Sequence, residues 1–270
     1  MTTVAEAPSL PIQAGRSKVG WAIRDGLAMT WRNLLHYIRV PQLIFFSSVQ
    51  PILFVLLFRY VFGGAIQVAG LDYVNYMMPG IFAQTVVFGA AATGVGLAED
   101  IHRGVVNRFR ALPMARSAVL VGRTTADSVR NLLVVIVMFI VGVMVGFRPS
   151  TGALGVAAGI ALMLFFAYAF AWGMALIGLN APSGETAQVM IFPLLMPLTF
   201  ASSAFVPVES MPSWLQVFTE NQPVSKVIDA VRALMLGGPT ARPVLEALAW
   251  VVGLLVVLAP LAVMRYRKAT

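Results

Sequence analysis

The chain has 270 residues, of which 59% are hydrophobic and 11% charged. Soluble domains carry about 25% charged residues, so this chain cannot cover a water-exposed surface, and its mean hydropathy of +0.84 indicates a membrane protein. The net charge of +8 does not indicate nucleic-acid binding, because the arginines flank apolar segments, where membrane topology and contact with anionic lipid explain them. The absence of cysteine excludes disulfides and thiolate metal sites.

The N-terminal region divides into two parts. Residues 1–15 are small, polar and proline-containing, and are predicted to be disordered. Residues 16–40 predict an amphipathic helix. Its apolar stripe consists of Leu27, Trp31, Leu34 and Ile38, and its polar side of Asp25, Arg32, His36 and Arg39. Such a helix is typical of the membrane interface, and a plain juxtamembrane segment is the alternative.

Six apolar segments are predicted to span the membrane as helices. They cover residues 41–62, 77–97, 131–147, 153–179, 189–206 and 244–264. The second is rich in small residues, which allow helices to approach closely. The fifth contains Pro193 and Pro197, which predict a kink. Between the last two spans, residues 208–244 predict two short amphipathic helices in the outer leaflet, the second ended by Gly237-Gly238-Pro239.

The segment between the second and third spans fixes the predicted orientation. Its six arginines are Arg103, Arg108, Arg110, Arg116, Arg123 and Arg130. Such a charged segment is expected in water, and the positive-inside rule places it in the cytoplasm. Six spans then put both termini there too, and most of the 19 lysines and arginines fall on that side.

The sequence lacks the residues that membrane ATPases, membrane enzymes and ion-coupled carriers use. It has no G-x-x-x-x-G-K-[ST] loop for nucleotide phosphates. Its two histidines are too far apart in the chain to suggest a metal site, and no catalytic residue is indicated. The interiors of the predicted spans contain no Asp, Glu, Lys or His, whereas ion-coupled carriers need such a group. The chain is therefore predicted to be either passive or driven by a partner, and not an enzyme.

The arginine-rich segment itself predicts a short amphipathic helix that ends near Pro113. Its apolar face consists of Ile101, Val105, Phe109 and Leu112, and its polar face of Glu99, Arg103, Asn107 and Arg110. A row formed by Arg123, Asp127 and Arg130 then leads into the third span. The pattern alone fits a docking helix for a partner and an ordinary solvated loop equally well.

Two stretches carry a resemblance to a known family. NRFRALPMARSAVLVGR, at residues 107–123, and ASSAFVPVESMPSWLQVFTENQPVSKVIDAVRALMLGG, at residues 201–238, resemble type-2 ABC exporter permeases of the daunorubicin/doxorubicin-resistance drug and lipid efflux group. Two positions depart from the pattern: Asn107 stands where relatives often have an acidic residue, and Gln222-Pro223 where they often have Asn-Pro.

The resemblance implies an all-α membrane protein in which residues 16–268 form a single type-2 ABC transmembrane domain. It implies a second permease, identical or different, and two copies of a separate ABC ATPase subunit. ATP and magnesium would bind that ATPase, and no cofactor would bind this chain. The location implied is a bacterial cell membrane. The expected activity is export of a hydrophobic or amphipathic, drug-like or lipid-like molecule, which fits antibiotic resistance by multidrug efflux.

The resemblance also implies roles for particular residues. The ATPase-coupling set is Glu99, Asp100, Arg103, Asn107, Arg108, Arg110 and Arg116. The substrate pathway, between the second and fifth spans, is expected to include Phe82, Gln84, Thr85, Phe88, Thr93, Thr199, Phe200, Ser202 and Ser203. The alternative for the polar members is that they only form hydrogen bonds between helices. Alternative functions are export of a lipid-linked glycan, a passive channel and a membrane scaffold.

Overall fold

A computed structural model describes residues 18–66, 68, 70–104 and 116–269, and the regular elements of this part of the chain are all helical. The predicted disorder of residues 1–15 lies outside the described residues. The helices are α1 (Lys18–Arg39), α2 (Gln42–Leu56, continued by a π-helix over Leu57–Phe62), α3 (Tyr73–His102), α4 (Arg116–Val145), α5 (Gly152–Gly178), α6 (Gly184–Phe200), α7 (Ser213–Asn221), α8 (Pro223–Leu236) and α9 (Ala241–Ala269), with a 3-10 turn over Val208–Ser210.

The predicted all-helical membrane fold is confirmed. Among the described residues, five helices are long and apolar enough to cross a membrane. They are Ile44–Phe62, Tyr73–His102, Leu120–Val145, Gly152–Gly178 and Ala241–Lys268. The predicted fifth span corresponds to α6, which has 17 residues and is about 25 Å long at 1.5 Å per residue. That length is at the lower end of the range for a spanning helix.

Local sequence signals set several helix ends. The Asp72 side chain accepts a hydrogen bond from the Val74 amide at the start of α3, and the Ser183 hydroxyl accepts one from the Thr186 amide at the start of α6. These caps satisfy amides that have no partner within the helix. At the other end of the chain, α8 stops at Leu236 because Gly237 has a φ of +89°. The structure thus has a stop at the predicted glycines and two short helices before the last span, and their placement in the outer leaflet stays a prediction.

Two helices differ in extent from the predicted spans. Helix α4 begins at Arg116, 15 residues before the predicted start of the third span at residue 131. The polar first half of α4 is therefore also helical, and its Thr124 and Ser128 hydroxyls donate to backbone carbonyls one turn earlier. Helix α6 runs over Gly184–Phe200 rather than 189–206. Residues 201–206 leave the helix to meet α3, where the Tyr73 hydroxyl donates to the Phe205 carbonyl.

Helix α3 is the centre of the fold. Two thirds of its apolar window, 67%, is buried, compared with 17% for α2 and for α9, and it packs against α4, α5, α6 and α8. The contact with α5 is close because both helices have a glycine there: a Cβ on Gly178 would lie 2.2 Å from the Gly94 carbonyl oxygen. The predicted use of small residues for close approach is seen at this crossing.

Helix α1 lies along the first half of α4. Met29 and Thr30 are buried there against Gly122, where a Cβ would come within 2.4 Å of the Met29 Cβ. The predicted apolar stripe is not the packed side, because Leu27, Trp31 and Ile38 are 60–67% exposed. The side of α1 that carries Met29 and Thr30 thus packs on the protein, and placement of the exposed stripe in the membrane interface stays a prediction.

Candidate functional site in the α1–α4 region

The predicted ATPase-coupling segment is described only at its two ends. At the end of α3, the Arg103 Nε donates to the Glu99 Oε1 at 2.7 Å, and the Arg103 side chain is 69% exposed. Asp100 accepts a hydrogen bond from the Arg123 guanidinium, which links α3 to α4. Asn107, Arg108 and Arg110 lie outside the described residues. Arg116 begins α4, and its side chain is outside the described set.

One carboxylate, Asp127, joins three helices inside the protein. It is 2% exposed. Its Oδ1 accepts a hydrogen bond from the Tyr37 hydroxyl of α1, and its Oδ2 accepts one from the Thr93 hydroxyl of α3 at 2.5 Å. The Arg123 Nε lies 3.9 Å from the same Oδ2, one turn earlier on α4. Asp127 therefore fixes α1 and α3 to α4 through hydrogen bonds to a charged group, which are stronger than neutral ones.

The Tyr37 hydroxyl is held as a donor in this cluster. Burial, together with the negative charge of Asp127, raises the pKa of Tyr37 above its ordinary value. The phenol therefore stays protonated and can donate to the carboxylate.

Arg130 is a buried cation midway along the 30 residues of α4. Its Nη2 donates to the Gly89 carbonyl at 2.6 Å and to the Asn131 Oδ1 at 3.2 Å. The guanidinium carbon lies 5.6 Å from the centroid of the Tyr37 ring. Within the described part of the chain, no carboxylate oxygen lies within 4.0 Å of Arg130, and its Nε has no hydrogen-bond partner there.

A cavity of about 170 Å³ adjoins this arginine, between α2, α3 and α4. Its polar lining includes Gln50, Gln84, Arg130 and Asn131, and its apolar lining includes Phe54, Phe88 and Val134. Gln84 is 4% exposed, and its Nε2 has no partner among the described residues. Gln50 is exposed, so the cavity reaches the protein surface along α2.

The predicted substrate-pathway residues of α3 fall in two places. Gln84, Thr85 and Phe88 line the cavity. Phe82 is fully buried, with its ring 5.9 Å from that of Phe147, and Thr93 is bound to Asp127. The structure brings three of the five predicted α3 residues to one open space and places the other two in packed surroundings.

The predicted pathway residues near the end of α6 are not part of the lining of that cavity. Thr199 and Ser202 are fully buried and donate to backbone carbonyls of their own segment. The Ser203 hydroxyl donates to the Asp229 Oδ1 at 2.8 Å. Phe200 is 40% exposed, with its ring 6.0 Å from that of Phe54. A pathway role for these residues stays a prediction.

A second polar cluster holds the region before the last span against α3. The Arg232 Nη2 donates to the Ser203 carbonyl at 2.7 Å and to the Tyr76 carbonyl at 3.2 Å, and its Nη1 donates to the Asp229 Oδ1 at 2.9 Å. Its guanidinium also lies 4.0 Å from the centroid of the Tyr76 ring. One side chain of α8 thus binds the end of α6 and the start of α3.

Sequence reasoning missed the roles of Tyr37, Asp127 and Arg130. The spacing of Arg123, Asp127 and Arg130 predicts a helical row, but the density of arginine around it predicts that the row is exposed to water. An acidic residue one turn after an arginine, in a helix that continues into an apolar span, was the available signal. The partners Tyr37 and Thr93 come from distant parts of the chain and could not be read from spacing.

Comparison with known proteins agrees with a membrane-spanning fold. Residues 25–236 match the ABC-2 type transporter family, and the chain belongs to that family. It is a multi-pass permease subunit, the class that the sequence resemblance predicted. Permeases of this class work with a partner ATPase subunit and dimerise.

Two relatives cover more than nine tenths of the chain, and a third covers about three quarters of it. The chain is 32% identical to the daunorubicin resistance ABC transporter permease protein DrrB1 of Streptomyces coeruleorubidus, over 99% of this chain and 93% of the relative. It is 30% identical to the probable doxorubicin resistance ABC transporter permease protein DrrC of Mycobacterium tuberculosis, over 92% and 90%. It is 27% identical to the putative transport permease ycf38 of Cyanophora paradoxa, over 78% and 74%.

Proposed function

We propose that this chain is the transmembrane subunit of an ATP-driven exporter that moves a hydrophobic or amphipathic, drug-like molecule out of the cell. The observation that carries the proposal is similarity to permeases named for daunorubicin and doxorubicin resistance across 90% or more of both chains. Lipid-like molecules belong to the same chemical class of cargo. The exporter would contain two permeases, identical or different, and two ATPase subunits, in a bacterial cell membrane with both permease termini in the cytoplasm.

The proposed mechanism is mechanical, with ATP and magnesium bound on the ATPase subunits. Closure of those subunits would push on residues 99–116 of each permease. The Asp100–Arg123 contact and the Asp127 cluster support this proposal, because they join the ends of α3 and α4 to α1. A push on that end would therefore move three helices together rather than bend one.

The lining of the cavity is compatible with an amphipathic cargo. Phe54 and Phe88 offer apolar surface, whereas Gln84 and Arg130 offer a few polar groups. Ligand sites of this kind are mostly apolar, with a small number of placed polar groups that orient the ligand. A passive channel would not need the cluster at the ATPase end of the helices.

The test is transport in inverted membrane vesicles that contain the permease and its ATPase subunit. Daunorubicin fluorescence reports uptake, with and without ATP. We expect uptake only with ATP, and we expect Arg108→Glu with Arg110→Glu to abolish it and to prevent co-purification of the ATPase.

The matched control is Arg267→Glu with Lys268→Glu, which makes the same charge change on the exposed end of α9. The control should keep both uptake and ATPase binding. Uptake that ignores ATP would favour a passive channel. Normal ATP-driven uptake by the Arg108/Arg110 variant would contradict the coupling role.

A further inference from the structure

The cavity between α2, α3 and α4 lies at a depth where an unpaired cation is unusual. Gln84 and Gly89 are near the middle of the 30 residues of α3, and Arg130 is near the middle of the 30 residues of α4. Arg130 is seven residues beyond Arg123, which is about 10 Å further along the helix axis. Ionised side chains at such positions are rare, face the protein interior or a cavity, and mark functional sites by default.

The charges around Arg130 do not neutralise it directly. Arg123 lies between the two nearby carboxylates, Asp100 and Asp127. Asp127 also accepts from two hydroxyl groups. Among the described residues, Arg130 donates hydrogen bonds only to the Gly89 carbonyl and the Asn131 Oδ1. Its buried Nε has no partner there. A guanidinium offers five N–H donors, so several of them remain for a ligand.

Gln84 adds a second, independent donor to the same space. Gln84 is only 4% exposed, and it lines the cavity. Its Nε2 has no hydrogen-bond partner in the described part of the chain. A buried donor left without an acceptor destabilises a protein unless a ligand or water accepts from it. The cavity is larger than the space that one water needs.

We propose that this cavity binds an amphipathic molecule through an anionic, acceptor-rich group, such as a phosphate or carboxylate. Arg130 and Gln84 donate to the anionic group, and Phe54, Phe88 and Val134 contact the apolar part. The inference goes beyond the proposed function, because it assigns to this cavity a ligand class, an anionic rather than a cationic amphiphile, and does not require that this ligand is the exported drug. The exposed Gln50 on α2 marks the side from which the ligand enters.

The experiment uses two photoreactive probes with the same dodecyl chain, which carries a diazirine at its end. One has a phosphate head group and the other a trimethylammonium head group. The purified permease in phosphatidylcholine nanodiscs is labelled with each probe, and mass spectrometry locates and quantifies the labelled residues. We expect saturable labelling of α2, α3 and α4 around the cavity by the phosphate probe, at least about tenfold stronger than by the ammonium probe.

Three variants test the assigned donors. Gln84→Leu removes a donor that has no partner among the described residues, so the variant should fold normally. It should raise the half-saturating concentration of the phosphate probe about tenfold, the effect of one hydrogen bond to a charged group. Gln188→Leu is the matched control on the exposed surface of α6 and should change nothing. Arg130→Gln should abolish the preference for the anion, and Arg130→Lys should keep part of it.

The source of the natural ligand is separated by repeating the titration in phosphatidylglycerol nanodiscs. If phosphatidylglycerol competes for the site, the half-saturating concentration of the phosphate probe will be higher in these nanodiscs, and the natural ligand is then a membrane phospholipid. If that concentration is unchanged, the natural ligand is another anionic amphiphile. Equal labelling by both probes, or equal behaviour of Gln84→Leu and Gln188→Leu, would overturn the proposal and leave the cavity to water. Since the assay contains no ATPase and no transport step, that failure would leave the proposed export function untouched.

Discussion

Replacing Asp127 by alanine should destabilise the protein strongly, because it removes the acceptor that three helices share. The Tyr37 and Thr93 hydroxyls would each lose a hydrogen bond to a carboxylate inside the protein. Such bonds contribute about 1.5 kcal/mol or more each, so we expect the free energy of unfolding to fall by about 3 kcal/mol. An ordinary neutral hydrogen bond between membrane helices contributes about 0.6 kcal/mol, which makes the expected loss distinctive.

Two further substitutions at this cluster remove part of it. Asp127→Asn removes the charge that faces Arg123 at 3.9 Å, and it replaces one of the two acceptor oxygens by an amide nitrogen, so that either the Tyr37 or the Thr93 hydroxyl loses its acceptor. We expect it to lose about 2.5 kcal/mol, of which about 1.5 kcal/mol comes from the hydrogen bond and about 1 kcal/mol from the ionic contact. Tyr37→Phe removes one donor and leaves the carboxylate with Thr93, so we expect a loss of about 1.5 kcal/mol.

The assay is reversible unfolding in mixed micelles, followed by circular dichroism. Glu220→Ala is the control, since Glu220 is exposed on α7 and surface substitutions usually change stability by less than about 0.5 kcal/mol. If Asp127→Ala changed the free energy of unfolding as little as Glu220→Ala does, the reasoning that this carboxylate holds α1, α3 and α4 together would be refuted.

Two other predictions concern packing and the second polar cluster. Gly178→Ala should prevent correct packing of α5 on α3, because the new Cβ would meet the Gly94 carbonyl oxygen at 2.2 Å. Gly253→Ala on α9 should be tolerated, because no atom of the described residues lies within 4 Å of the added Cβ. Monodispersity in size-exclusion chromatography reports the difference, and equal elution profiles would contradict it. Arg232→Gln should lower the thermal unfolding temperature by several degrees, because it removes hydrogen bonds to the Tyr76 and Ser203 carbonyls. Arg242→Gln is the control and should not lower it, because the Arg242 side chain is 89% exposed. Matching melting curves for these two variants would show that the Arg232 contacts contribute little.

The helical membrane architecture could be predicted because its causes are local in the sequence. Uncharged runs of about 20 residues leave the backbone only the helix as a way to satisfy its hydrogen bonds in lipid. The stop at Gly237 is local in the same sense, because a glycine with positive φ ends α8 wherever the helix packs. The clustering of arginine between the second and third spans likewise set the predicted orientation without any knowledge of packing.

The helix limits were less predictable, because the polarity of a residue does not determine whether it is helical. The polar composition of the first half of α4 predicts exposure to water. In the structure this half is part of the helix, because α1 packs along it and covers it. Conversely, residues 201–206 are predicted to continue a span, but they turn away from α6 because the Tyr73 and Tyr76 hydroxyls of α3 donate to the carbonyls of Phe205 and Val206.

By itself, the sequence determined the class of protein and the number of apolar segments, since each depends on short stretches of sequence. Only the tertiary structure decided that Asp127 bonds to Tyr37, 90 residues away, and that Gln84 and Arg130 border one cavity. The physical reason is that such groups become partners through helix packing, and packing depends on where the glycines of α3, α4 and α5 allow neighbouring helices to approach.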